Sequence, residues 1–367
     1  VKFVISKEEL AELMALLQNA VAQKPAIPIL SNVLVEAIND ELILTATDLV
    51  VGIRCFTEAK ILEEGATTLP ARRLFQLIRE LPSVSIEFST NSQEATQIDA
   101  GGSRFRLLGM NRSEFPALPD LSGAVQFTTS QKELKEMLYR TSFAVSREDN
   151  RYVLTGVLLQ IEGGRATFVG TDGKRLARSE MAVEIDPSFE GSWVVPLKAV
   201  EEVHRALKDE GDVTLYLLDD KIAFEAGRVT IVTKLLSGDY PNVDRIIPKD
   251  AAVSVSLHRE ELMSLLRQVA LFTTDTCNSA RFTLDEGELT LWANATDLGE
   301  GKVSMPANYT QSKLDIAFNP HFFLDILRHS RDETVNLELI DSYNPGVITD
   351  SRDGLFVLMP MRLSDQV

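Results

Sequence analysis

Cysteine is nearly absent from this 367-residue chain, and its two examples, Cys55 and Cys277, stand 222 positions apart with no CxxC pair and no neighbouring histidine. Buried, reduced thiols are the expectation, and neither a disulfide framework nor a thiolate metal site is supported. Histidine is scarce as well. His204, His258, His321 and His329 include no i,i+4 pair of the kind that grips a metal on a helix, so no metal is expected. No window approaches 18 uninterrupted apolar residues, and the opening VKFVISKEEL lacks the long apolar run of a secretory signal; the expected location is the cytoplasm, with no membrane partner. There is no P-loop, no GxGxxG opening a helix after a strand and no HExxH. No catalytic residue and no cofactor is expected. What is present is an ordinary globular balance, 44% hydrophobic and 25% charged residues, over a length that calls for two to four domains.

The chain reads as three copies of one unit about 125 residues long. FVISKEELAELMALL from Phe3, FTTSQKELKEMLYRT from Phe127 and VSLHREELMSLLRQV from Val255 each open with alternating apolar residues and then switch to helical spacing. Strand pairs around a turn follow at matching places, SNVLVEAINDELILTATDL from Ser31, TGVLLQIEGGRATFVGTDG from Thr155 and SARFTLDEGELTLWANATDL from Ser279. A second helix comes next in every copy, LPARRLFQLIREL from Leu69, VPLKAVEEVHRAL from Val195 and FNPHFFLDILRHS from Phe318, with Pro70 and Pro196 near the first turn. More strands close each copy. The pattern predicts six helices and about two dozen strands in an α+β fold, divided into domains at 1–123, 124–249 and 250–367. Thr47-Asp48, Thr171-Asp172 and Thr296-Asp297 recur at the same strand end, as turn-forming residues do, and this is preferred over a catalytic carboxylate.

Net charge is −17, a sum that by itself argues against a polyanionic partner. Its distribution says otherwise. Helix segments 7–18, 71–80, 131–141, 197–208, 259–268 and 321–331 hold 14 basic against 11 acidic residues, net +3, which leaves −20 for everything else. A helical surface of one sign inside a shell of the other suits a channel for an anion.

The three-copy layout resembles the bacterial β sliding clamps, the processivity subunits of DNA polymerase III. The resemblance is carried over the whole chain by TATDL at 45–49, RYVLTGVLL from Arg151, VGTDGKRLA from Val169, GDYPNVDRIIP from Gly238 and VLMPMRL from Val357. It implies three similar clamp domains per chain, each with two helices on an inner face and antiparallel sheets outside, and a head-to-tail dimer closing a six-domain ring. Twelve helices spaced about 9 to 10 Å apart trace roughly 115 Å and leave a hole of about 26 Å, wide enough for a DNA duplex.

The same resemblance implies site residues. Lys24, Arg72, Arg73, Arg79, Lys132, Lys135, Lys198 and Arg205, with Lys208, Arg259 and Arg267, are duplex-facing candidates, joined by the loop holding Arg147, Asn150, Arg151 and Tyr152. A sliding ring needs only weak, sequence-independent contacts, without the many phosphate bonds of a tight binder. A groove for short peptide motifs of the replicative polymerase, clamp loader and other partners maps to Leu154, Thr171, Gly173, Arg175, Leu176, Pro241, Arg245, Ile246, Val357, Met359, Pro360, Met361 and Arg362. In it Arg175 and Arg245 would orient the ligand. Lys174 stands where many relatives carry histidine, and Ser364 to Val367 extend past the usual end. The dimer interface maps to Arg104, Phe105 and Leu107 facing Leu271, Phe272, Asp297 and Glu300, with Arg104 and Arg106 opposite the two acids. The alternative function is a repeat-built peptide scaffold that does not encircle DNA.

Overall fold

The computed structural model describes residues 1–22, 24–82 and 84–363; the Asn150 side chain and Ser364 to Val367, both singled out above, lie outside the described residues. Among the described residues there are six α-helices, α1 (Lys7–Ala20), α2 (Ala71–Glu80), α3 (Gln131–Ser142), α4 (Leu197–Ala206), α5 (Arg259–Ala270) and α6 (Pro320–His329), and 25 strands in four antiparallel sheets. The helices form where the apolar spacing demands. In α1, Leu10, Leu13, Met14 and Leu17 make one buried stripe, and α5 repeats it with Leu262, Met263, Leu266 and Val269. Helix starts use short polar caps: Asn319 accepts from the His321 N–H at 2.9 Å, with Pro320 in the first turn, and the His258 ring accepts from the Glu261 N–H at 3.3 Å.

Compactness divides the chain differently from the repeat. One unit comprises Val1–Lys135, Val183–Ile185 and Lys198–Leu235; the other comprises Glu136–Ala182, Asp186–Leu197 and Leu236–Val367. The physical reason is strand pairing. In the first unit, Val51–Glu58 of the first copy pairs with Val229–Lys234 of the second, fusing their strands into one eight-stranded sheet. In the second unit, Arg175–Ala182 pairs with Leu355–Leu358, and another eight-stranded sheet joins the second copy to the third. The central copy is therefore shared between two cores.

The first unit also holds a five-stranded sheet with Ser103–Leu108 at one edge, and Phe3 stacks on Phe88 at 4.8 Å within it. The second holds a four-stranded sheet with Gly299–Pro306 at one edge, under a packed trio of Phe282, Phe318 and Phe323. Gly170, on the eight-stranded sheet of the second unit, marks how tightly helix and sheet meet. A β-carbon on it would lie 2.1 Å from the Thr141 carbonyl oxygen of α3, a backbone atom that has no room to retreat. Gly170→Ala is expected to cost about 1 to 3 kcal/mol in urea unfolding, as overpacked sites do.

The paired Thr-Asp residues are turn formers. Asp48 accepts from the Val50 and Val51 N–H groups at 2.9 and 2.8 Å, and Asp172 accepts from Lys174 and Arg175 at 2.9 and 3.0 Å. Cys55 is buried as expected, its thiol pushed up to about 12 by desolvation, but Cys277 is exposed. Cys277 sits in the irregular segment between α5 and the strand Ala280–Asp285, where no helical or strand face carries it into a core.

Candidate DNA, peptide and subunit interfaces

Burying one stripe of a helix leaves most of its basic residues on the other side, with Arg140 of α3 and Arg259 of α5 as exceptions. Arg72, Arg73 and Arg79 are exposed on α2 opposite buried Leu74 and Ile78, and Arg79 lies over the Phe75 ring at 5.7 Å. Lys24, Arg72, Arg73, Lys132 and Arg267 are exposed and carry no ion pair among the described residues. Others are engaged. Lys135 pairs with Asp209 at 3.1 Å, Arg205 with Glu202 at 2.6 Å, Lys208 with Glu12 at 3.7 Å, and Lys198 with Asp48. The Lys208–Glu12 pair is exposed and worth about 0 to 1 kcal/mol, whereas Glu202 and Asp48 are largely buried and hold their cations from beneath. Arg259 differs: it donates to the Asp332 and Leu327 carbonyls at 2.8 and 3.1 Å and is mostly buried, which makes it a tie to the end of α6 rather than a free cation. Arg147 is exposed just before the turn Asp149–Thr155 and Arg151 and Tyr152 are exposed along it, where Arg151 departs from helical geometry and reaches the Asp172 carbonyl at 3.5 Å.

The peptide-groove candidates all fall within the second unit. Leu176 and Val357 are buried in an apolar cluster with Leu158, Val169, Val194, Val243 and Val347; Leu154 and Thr171 are buried too. Pro241, Arg245, Ile246, Met359 and Arg362 are exposed, and Pro360 and Met361 half-buried. Strand pairing explains the arrangement: Val357 lies opposite Leu176, and the Met359 N–H donates to the Lys174 carbonyl at 3.0 Å, which sets Lys174 beside the methionine. Gly173 has φ +85°, and a β-carbon there would strike the Arg151 guanidinium.

Arg175, expected to orient a ligand, is bonded within the protein. Its guanidinium is bonded to Asp325 at 2.7 Å, Asp172 at 3.3 Å and the Phe143 carbonyl at 3.3 Å, and lies 4.5 Å from the Phe322 ring centre. Each guanidinium nitrogen thus has one partner, and two of the five N–H donors of Arg175 are left over. Beside it opens a cavity of about 560 Å³ lined by Lys174, Met359 to Arg362, Asn319, Phe322 and the segment Thr276 to Ser279. Phe322, Asn319 and that segment were not foreseen. They come from loops and a helix start more than 80 positions from the motif residues at 171–176, and only the Phe-Phe pair of α6 hinted at a second aromatic face.

The subunit-interface candidates lie at two sheet edges. On Ser103–Leu108, Phe105 is partly exposed, but Leu107 is only 8% exposed because its side of the strand faces the protomer's own core. Leu108, on the opposite side, is 68% exposed. Arg104 pairs with Asp99 of its own sheet at 2.7 Å, and Arg106 is exposed. In the second unit, Leu271 is 74% exposed at the end of α5, while Phe272 lies over Gly301 on the edge strand Gly299–Pro306. Asp297 is exposed, and Glu300 accepts from the Trp292 ring N–H at 3.2 Å.

Three copies of a two-helix, antiparallel-sheet module define the DNA-clamp class of fold. Family models for the N-terminal, central and C-terminal domains of the DNA polymerase III beta subunit match residues 1–119, 128–242 and 244–362. The chain therefore belongs to the DNA polymerase III beta subunit family. It is 55% identical to a beta sliding clamp of Chlamydia muridarum over 364 residues, 99% of this chain and 100% of that one. A beta sliding clamp of Pseudomonas aeruginosa is 32% identical, covering 98% and 100%. Among solved structures, a Pseudomonas aeruginosa DNA polymerase sliding clamp with ligand matches with TM-score 0.94 at 31% identity, and the Thermotoga maritima beta subunit with TM-score 0.91 at 27%, each covering 99% of this chain and 100% of its own. The family is a processivity factor without a catalytic site of its own. No helix among the described residues is long and apolar enough to cross a membrane.

Proposed function

We propose that two copies of this chain close head to tail into a ring around double-stranded DNA, hold the replicative polymerase on its template, and receive polymerase and clamp loader at the groove. The setting is the cytoplasm, and the three clamp domains are assigned to 1–123, 124–249 and 250–367. The observation that carries the ring is a pair of strands left over from the repeat. Each junction within the chain pairs the strand after a Thr-Asp turn with the closing strand of the next copy: Val51 lies opposite Thr233, and Arg175 opposite Leu358. Three copies contain three strands of each kind, and two junctions use two of each. The remaining ones, Gly299–Pro306 and Ser103–Leu108, are both sheet edges with unpaired backbone. A second copy supplies the missing partner at both ends, which closes the assembly.

Encirclement is tested by topology. Assembled on a nicked plasmid with a clamp loader complex, the protein is expected to remain bound through a wash in moderate salt and to be released once the plasmid is cut at a single site. Retention on the cut plasmid with open ends means adhesion rather than linkage, and would favour the peptide-scaffold alternative.

A further inference from the structure

We propose that the first unit carries a docking site of its own, distinct from the groove of the second unit, for a partner peptide that brings a carboxylate next to an aliphatic side chain, with Arg54 as the anchor. The site is a cavity of about 530 Å³ lined by one face of the eight-stranded sheet and by the connecting segment 109–124. Leu34, Phe115, Leu118 and Val232 give it apolar walls, and Leu118 lies against Gly52, where a β-carbon would come within 2.4 Å of the leucine methyl. Arg54 stands among them, opposite Thr45 on one neighbouring strand and Thr230 on the other. It is exposed, and its side chain has no ion pair or hydrogen bond among the described residues. The acids that line the cavity have other partners: Glu36 pairs with Arg112 at 3.5 Å, Asp120 accepts from the Ser122 N–H at 3.0 Å, and Glu225 accepts from the Tyr216 hydroxyl at 3.2 Å. Glu225 shares a cross-strand row with Arg54 but stands two strands away, about 10 Å between backbones, where screening is strong.

The second unit shows what an arginine at this position does when a carboxylate is in reach. Leu34, Thr45 and Arg54 face one another across three strands, and so do Leu158, Val169 and Arg178, each 124 positions further on. Arg178 pairs at 3.1 Å with Asp244, the residue after Val243 of the buried apolar cluster, so the chain itself offers an acid beside an aliphatic anchor. The connecting segments of the two units align on their aromatic-proline pairs, Phe115-Pro116 and Tyr240-Pro241. Three positions past that proline the second unit has Asp244 and the first has Pro119, which carries neither charge nor N–H. The acid that Arg178 receives from its own chain is thus missing beside Arg54, where a cavity stands instead. Thr45 and Thr230 flank Arg54 where Val169 and Leu355 flank Arg178, which adds hydroxyls for a polar ligand. An unpaired guanidinium at an apolar cavity favours a carboxylate over a neutral amide. A partner held there leaves the groove free for another.

The probe is acetyl-Pro-Asn-Val-Asp-amide, the sequence of 241–244 as a free peptide, titrated to millimolar concentration into the full chain with methyl-labelled leucine and valine and followed by NMR, beside the same peptide ending in asparagine. The methyl signals of Leu34, Leu118 and Val232 are expected to shift, and the aspartate peptide to bind roughly twofold to fivefold more tightly than its counterpart, the worth of one exposed ion pair. In Arg54→Gln the two peptides should bind alike. Pro119→Asp, which supplies the missing acid from the chain itself, should weaken the aspartate peptide. Equal binding of the two peptides to the unaltered protein overturns the proposal, as does the absence of any shift. Shifts confined to Leu158, Leu176 and Val357 place the peptide in the second unit and overturn it too. Isovalerate moving the Leu34, Leu118 and Val232 signals as strongly as the peptide does would make the cavity a site for small carboxylates, against a peptide partner.

Discussion

Replacing Asp350 by alanine is expected to destabilise the second unit by about 3 to 5 kcal/mol, the usual cost of stranding a buried charge. Asp350 accepts two hydrogen bonds from the Arg140 guanidinium, at 2.8 and 2.6 Å, and the two side chains are 0% and 1% exposed. Ser330 donates to the same carboxylate at 2.9 Å, and the guanidinium lies 5.6 Å from the Phe356 ring centre. Two of the guanidinium nitrogens, Nε and Nη1, are buried with no hydrogen-bond partner among the described residues. The cation therefore depends chiefly on Asp350, and Asp350→Ala leaves it without a hydrogen-bonded counter-charge. The comparison that isolates this is Arg140→Met combined with Asp350→Ala: removing both charges is expected to recover part of the loss, because no ion then remains in the core. Urea unfolding at neutral pH measures both. A single variant within 1 kcal/mol of the unaltered protein would mean that water reaches Arg140. The surface pair of Lys135 and Asp209 sets the contrast, since its loss should cost no more than about 1 kcal/mol.

This buried pair shows where sequence reading stops. Helix positions were legible because α1 and α5 carry their buried leucines at i, i+3 and i+4, and the threefold layout was legible because turns and Thr-Asp strand ends recur at one interval. Neither signal says that Arg140 leaves the pattern of exposed helix cations. It turns inward because Asp350 waits 210 positions away, across a junction between copies. Arg175 is a similar case. A motif position marks it as important, but only the three-dimensional placement of Asp325 and Phe322 shows that each of its guanidinium nitrogens has a partner inside the protein. Leu107 and Leu108 invert for a simpler reason. Alternation fixes that they face opposite ways, and the choice between core and solvent depends on which face of the sheet the helices cover.

The second large effect concerns the edge of the proposed ring. Leu271→Asp is expected to convert the dimer to monomer at micromolar concentration, read by sedimentation in moderate salt. The repeat supplies the expected pairing. Thr233 lies four residues past Val229, which begins its strand opposite Ala226 after a two-residue turn. Leu107 lies four past Ser103, which begins opposite Ala100 after a turn of the same length. Val51 and Arg175 each stand three past their aspartate, as Glu300 does past Asp297. By this count Leu107 of one copy meets Glu300 of the next, with Arg106 opposite Gly301 and Phe105 opposite Lys302. Leu271, at the end of α5 and followed by Phe272 over Gly301, then covers the joint on its apolar side. Burying a leucine there contributes about 1.5 to 3 kcal/mol, and two-fold symmetry counts it twice. The substitution should therefore raise the dissociation constant by roughly a hundredfold to ten-thousandfold. Arg104→Gln should change it only a few fold, since Arg104 already pairs within its own sheet and exposed pairs are weak. A Leu271→Asp protein that still sediments as a dimer would place the subunit contact elsewhere, and the leftover strands would then need another explanation.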